Sequence, residues 1–190
     1  MNIHQLSVTY QPEQDRILVR VNTTAAEEMR MWLTRRLMAG LWPLLGKLQT
    51  EQLLRLEAAG SGLDQADEGL RKMVADFRKA EFLQQADFAT PYRNEQPQLP
   101  LGGQPLLVTD AQVTELPEGR VRLGFREHAL AGTPGRSFQM ELEPRLLQGL
   151  VHLVEQALAQ SGWRDSFAAA PAVDDSNPAV PAGQVPRYLN

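Results

Sequence analysis

The chain has 190 residues, 43% of them apolar, carries a net charge of −4 and contains no cysteine. That composition supplies a buried core, and it excludes a disulfide framework, a thiolate nucleophile and a thiolate metal site. No apolar run reaches the roughly 18 to 20 residues of a membrane helix, and the opening MNIHQLSVTY lacks the basic region and apolar stretch of a signal peptide, so the sequence predicts a cytoplasmic protein.

Taken in chain order, Val8-Thr9-Tyr10, a turn at Gln11-Pro12-Glu13, and Arg16-Ile17-Leu18-Val19 predict strand, turn, strand. Ile17, Val19 and Val21 alternate with polar residues and so share one face. A third strand carries Met31 and Leu33 on that face and runs directly into a helix with Thr34 as its N-cap. Leu37, Leu41, Leu44, Leu45 and Leu48 form the apolar stripe of that helix, Gly40 is expected to allow close approach to the sheet, and Pro43 sits inside the helix. The helix continues to Ala59 and stops at Gly60. Ser61 then opens a second helix whose apolar stripe is Leu63, Ala66, Leu70, Met73, Val74, Phe77 and Ala80. Residues 91–105, rich in Pro, Gly and Gln, read as a linker.

Beyond the linker the opening pattern recurs. Val113-Thr114-Glu115-Leu116-Pro117-Glu118, then Arg120-Val121-Arg122-Leu123, repeats the strand–turn–strand, and Met140-Glu141-Leu142-Glu143-Pro144-Arg145 repeats the strand that enters a helix. Pro144 falls at the first helical position, where its missing N–H costs nothing, and Leu146, Leu150, Leu153, Val154 and Ala157 form the stripe, with Gly149 matching Gly40. The expected fold is α+β, with two pseudo-symmetric β-β-β-α repeats at 1–50 and 106–164 and antiparallel sheets. A helical insertion and linker occupies 51–105, and a disordered Ala/Pro/Asp/Ser tail occupies 165–190. The repeats are expected to pack into one body, since a 50-residue three-stranded unit alone is marginal.

Catalytic constellations are hard to find. His4, His128 and His152 have no second ligand at metal-site spacing, Gly102-Gly103 lies in the linker rather than between a strand and a helix, and the acidic pairs, Glu27-Glu28 among them, read as solvated. The sequence therefore predicts no enzyme, cofactor or metal. Its candidate binding surface is the sheet face opposite the helices, where Arg16, Arg20, Arg30 and Trp32 from the first repeat and Arg120 and Arg122 from the second alternate with the core residues. Arginines beside an aromatic can stack bases and track a phosphate backbone; alternatively, Arg–Glu pairs solvate the face while Trp32 meets a protein partner.

A tandem strand-rich unit closed by a helix resembles the Whirly transcription factors and the Pur proteins over about residues 3–50 and 106–162. Those proteins bind single-stranded nucleic acid through curved sheets, and the resemblance implies the same for Arg20, Arg30, Trp32 and Arg122. Their units have four strands before the helix against three here, and their strongly basic character and signature segments are missing from this chain. The run Arg30-Met31-Trp32-Leu33-Thr34-Arg35-Arg36 after Val21-Asn22-Thr23 is similar to a conserved bacterial family, a resemblance that implies no function. The expected role is that of a non-enzymatic binding or scaffold protein acting on a protein partner or by self-association, with single-stranded nucleic acid as the alternative.

Overall fold

The computed structural model describes residues 2–58, 67–93, 97–128 and 135–168. It is α+β, with two antiparallel-rich sheets and three long helices. β1 (Ile3–Gln11), β2 (Arg16–Thr23) and β3 (Glu28–Thr34) form a meander that leads into α1 (Arg35–Ala58), and α2 (Glu68–Gln85) follows. β4 (Leu106–Leu107) completes the first sheet in the order β1-β2-β3-β4. The second sheet is the meander β5 (Asp110–Glu115), β6 (Val121–Arg126) and β7 (Ser137–Leu142), followed by α3 (Pro144–Ser161) and the short α4 (Trp163–Ala168).

The local signals act where expected. Pro12 and Pro117 each open a one-turn 3₁₀ helix joining two strands, and the chain leaves the first of these turns through Asp15 in the left-handed region (φ 47°). Thr34 Oγ1 accepts the Leu37 N–H at 3.3 Å, the N-cap bond of α1. Period-two alternation puts Ile17, Val19, Val21, Met29, Met31 and Leu33 into the core from the first sheet. Val121, Leu123, Phe125, Phe138, Met140 and Leu142 enter it from the second. Both sets belong to one cluster, so the two sheets share a core.

Several expectations need correction. β4 is parallel to β3, so the first sheet is not wholly antiparallel. β4 is the pair of residues directly after the linker, and the linker itself bridges Gln98 to Glu27, so this stretch of chain lies along the β3 edge. The main sheet contact of α3 is with β1, in the other half of the chain, while α1 touches β5 and the turn before β6. Each helix thus reaches across instead of covering only its own sheet.

Gly40 and Gly149 do not mark close approach, because a Cβ at either position would meet no atom within 4 Å. Leu44 points outward at 52% exposure; the buried stripe of α1 is Met38, Leu41, Leu45, Gln49, Gln52 and Leu53. Asp67, whose side chain accepts the Leu70 N–H at 2.7 Å, is the N-cap of α2 in place of Ser61, and Ser61, Leu63 and Ala66 lie outside the described residues. The expected tail begins too early, because 165–168 belong to α4; 169–190 lie outside the described residues.

Two polar contacts tie distant parts together. Gln148 of α3 accepts from Gln49 and donates to Gln52 of α1 (3.1 Å), and Gln52 in turn donates to the Gly119 carbonyl in the β5–β6 turn. At the other end of α3, the Trp163 indole N–H donates to Asp15 at 2.8 Å and its ring meets Tyr10 edge-on at 5.8 Å. Gly162, left-handed at φ 67°, supplies the turn that aims Trp163 there.

Candidate functional site

The alternation of β2 and β3 places Arg16, Arg20, Arg30 and Trp32 on the outer face of the first sheet, and Arg122 stands on the outer face of the second, with Arg120 just before β6. The register sets Arg20 directly opposite Arg30 and Leu18 opposite Trp32. Two guanidiniums across a strand pair repel unless compensated. Compensation comes from an acid that sequence reasoning took for a solvated one. Glu28 is 1% exposed, and its carboxylate accepts from the Arg30 Nε and, at 3.0 Å, from the Tyr92 hydroxyl.

Tyr92 belongs to the linker, yet it lies on this face. The Arg20 guanidinium stacks 4.3 Å from its ring centroid while donating to Ser7 Oγ at 3.2 Å. Burial, and then the Glu28 carboxylate it donates to, push the Tyr92 hydroxyl well above the ordinary phenol range, so it stays a neutral donor. Backbone contacts hold the segment in place. Gln5 donates to the Pro91 carbonyl and accepts the Arg93 N–H at 3.0 Å, and Asn22 donates to the Arg93 carbonyl. Part of the arginine-bearing face is therefore covered by residues 91–93.

On the second sheet, Arg122 makes two hydrogen bonds to Glu141 Oε1 (2.6 and 3.1 Å) and Arg120 lies 3.5 Å from its other oxygen. These bonds from Arg122, and the charge beside them, hold the Glu141 carboxyl below its usual range. The structure thus leaves the six sequence-predicted residues on two separate faces. Arg30, Arg120 and Arg122 pair with carboxylates, Arg20 stacks under Tyr92, and Trp32 is half-buried between Leu18 and Leu107.

A second surface, on the helical hairpin and outside the six predicted residues, is the outward side of α2. Leu70, Met73 and Phe77 are 43%, 62% and 69% exposed. At 100° per residue they fall within about 60° of one another, on the side away from the buried Ala75. Asp76 and Glu81 flank this stripe, and no lysine or arginine lies within about 90° of its centre; Arg78 reaches Glu81 from the side at 2.5 Å. The signal was present as an amphipathic stripe, but periodicity does not say whether anything covers it.

Among the described residues, no cluster of His, Asp or Glu is placed to hold a metal, and no helix is long and apolar enough to cross a membrane. Compared with known proteins, the chain matches no family model, no curated protein and no solved structure.

Proposed function

We propose that the protein is a non-enzymatic binding or scaffold protein that acts through protein–protein contact, with the outward face of α2 as its working surface. The observation that carries this reading is the exposed Leu70-Met73-Phe77 stripe at i, i+3, i+7 spacing, the pattern by which one helix seats in an apolar groove or against another helix. Methionine at its centre suits a surface that adapts to its partner. The flanking carboxylates favour a partner whose apolar side chains are bordered by lysine or arginine, and they oppose the pairing of two copies of α2 face to face.

We also read 1–50 and 106–164 as two diverged copies of one unit within a single body in the cytoplasm. The matched sequences, the two Pro-opened 3₁₀ turns and the two strands that run straight into helices support that reading. The nucleic-acid alternative ranks second, because the ion pairs on Arg30, Arg120 and Arg122 and the stacking of Tyr92 on Arg20 leave less free positive charge for phosphates.

The test is site-specific photocrosslinking in cells, with the crosslinker at position 73 or 77 and a control at Lys72. The expected result is one defined protein joined from 73 and 77 but not from 72, and lost in Phe77→Asp. No crosslink from either position would overturn the reading.

A further inference from the structure

A cleft of about 400 Å³ opens where the start of β1, the segment after α2 and the first turns of α3 converge, and its size lies within the range of small-molecule sites. It is separate from the outward face of α2. Leu6 of β1 and Leu146 and Leu153 of α3 line it, and Phe88, 44% exposed, forms a wall with its ring 5.1 Å from that of His152. Gly149 lies between Leu146 and Leu153 on the same helix face, and the space its missing side chain leaves belongs to the cleft. A glycine in a helix interior costs about 1 kcal/mol relative to alanine, and no packing contact explains this one.

The polar lining is one-sided. Arg93 and Arg145 both line the cleft, and neither makes an ion pair to a carboxylate among the described residues. Asp87 also lines it, but its carboxylate is turned to local bonds, accepting the N–H groups of Ala89 and Thr90 at 3.0 Å and the Thr90 hydroxyl at 2.5 Å. The positive end of α3 begins beside Arg145, and its N-cap, Glu143, makes no side-chain capping bond. An adjoining recess of about 330 Å³ shares His4 and Arg93 with the cleft and is lined by Asn22, whose buried Oδ1 accepts no hydrogen bond from the described residues.

We propose that the cleft binds a small amphipathic carboxylate, its apolar body against Leu6, Phe88, Leu146 and Leu153 and its acid group between Arg93 and Arg145. An apolar lining alone would take a neutral ligand as readily. The two guanidiniums select an anion, because a charge-assisted contact to a carboxylate is about twice as strong as a neutral hydrogen bond.

The test uses octanoate as the charged probe and 1-octanol as its neutral counterpart, titrated calorimetrically into the full chain, the double variant Arg93→Gln/Arg145→Gln, and Gly149→Met. Methionine at 149 enters open space on a helix, so this variant fills the cleft without disturbing the backbone, and thermal melts check that each variant folds. The expected result is saturable one-to-one binding of octanoate, weakened about tenfold or more in the double variant and for octanol, and abolished by Gly149→Met. Absence of saturable octanoate binding at millimolar concentration, equal binding of octanol, or binding unchanged in the variants would each overturn the proposal. Should Gly149→Met fail to fold, the arginine double variant and the octanol comparison decide.

Discussion

Gln49 Nε2 donates to Gln148 Oε1 across 2.6 Å, a buried bond between residues 99 apart that joins α1 to α3. With Gln52 it forms a chain that ends on the Gly119 carbonyl, so each amide of Gln148 and Gln52 has a partner while sealed from water. Gln148→Leu keeps the volume and strands the Gln49 donor and the Gln52 acceptor. The expected loss is roughly 2 to 4 kcal/mol by chemical denaturation. A change below half a kcal/mol would mean that water replaces the side chain at no cost and that the chain does not bind the halves together.

Stability should depend on pH through Asp15. Hydrogen bonds from Trp163, and then Tyr10, hold its carboxyl below the usual carboxylate range. The native state therefore binds that proton more weakly than the unfolded chain does. Its contribution is complete above the unfolded value of about 3.9 and disappears as pH falls through the lower folded one. Asp15→Asn keeps an oxygen acceptor and tolerates the left-handed backbone. Melting temperatures of the two proteins should differ at pH 7 and converge towards pH 2.5; a gap that stays constant with pH would contradict the assignment.

Gly40→Ala should stabilise. The position is exposed in the second turn of α1 and a methyl group there meets nothing, so the gain is about 0.5 to 1 kcal/mol from helix propensity and reduced freedom in the unfolded chain. Urea titration measures it, and a loss of stability would restore the close-approach role.

Single-stranded DNA or RNA should bind weakly to the outer sheet face, because Glu28, Glu141 and Tyr92 already engage its arginines. Fluorescence anisotropy at low and moderate salt, with Arg20→Ala and Trp32→Ala alongside, checks this. A salt-sensitive affinity lost in both variants would put nucleic acid ahead of a protein partner.

What could be read from the residues was whatever depends on neighbours in the chain. The alternation at Ile17-Val19-Val21, the Thr34 cap and Pro144 at a helix start all act over a few residues, and each appears as expected. What could not be read depends on choice among equivalent partners. Both sheets present the same kind of apolar face, so nothing local tells α3 to lie on β1. Tyr92 sits in a Pro-rich stretch whose composition suggests a loop, and only its placement over Arg20 and against Glu28 turns an apparently bare arginine face into a covered one. Glu28 reads as solvated for the same reason: one of the two partners of its carboxylate is residue 92, which sequence neighbours do not reveal.

The seating of α3 on β1 has a consequence for the order of events at the ribosome. β1 emerges before α3, and the indole that locks its turn belongs to residue 163, which is made 148 residues after Asp15. At 5 to 20 residues per second that interval is about 7 to 30 s. Throughout it β1 lacks its covering helix, so a nascent chain halted at the linker would present the inner side of β1 to chaperones and would not mature until the last turn of α3 is released.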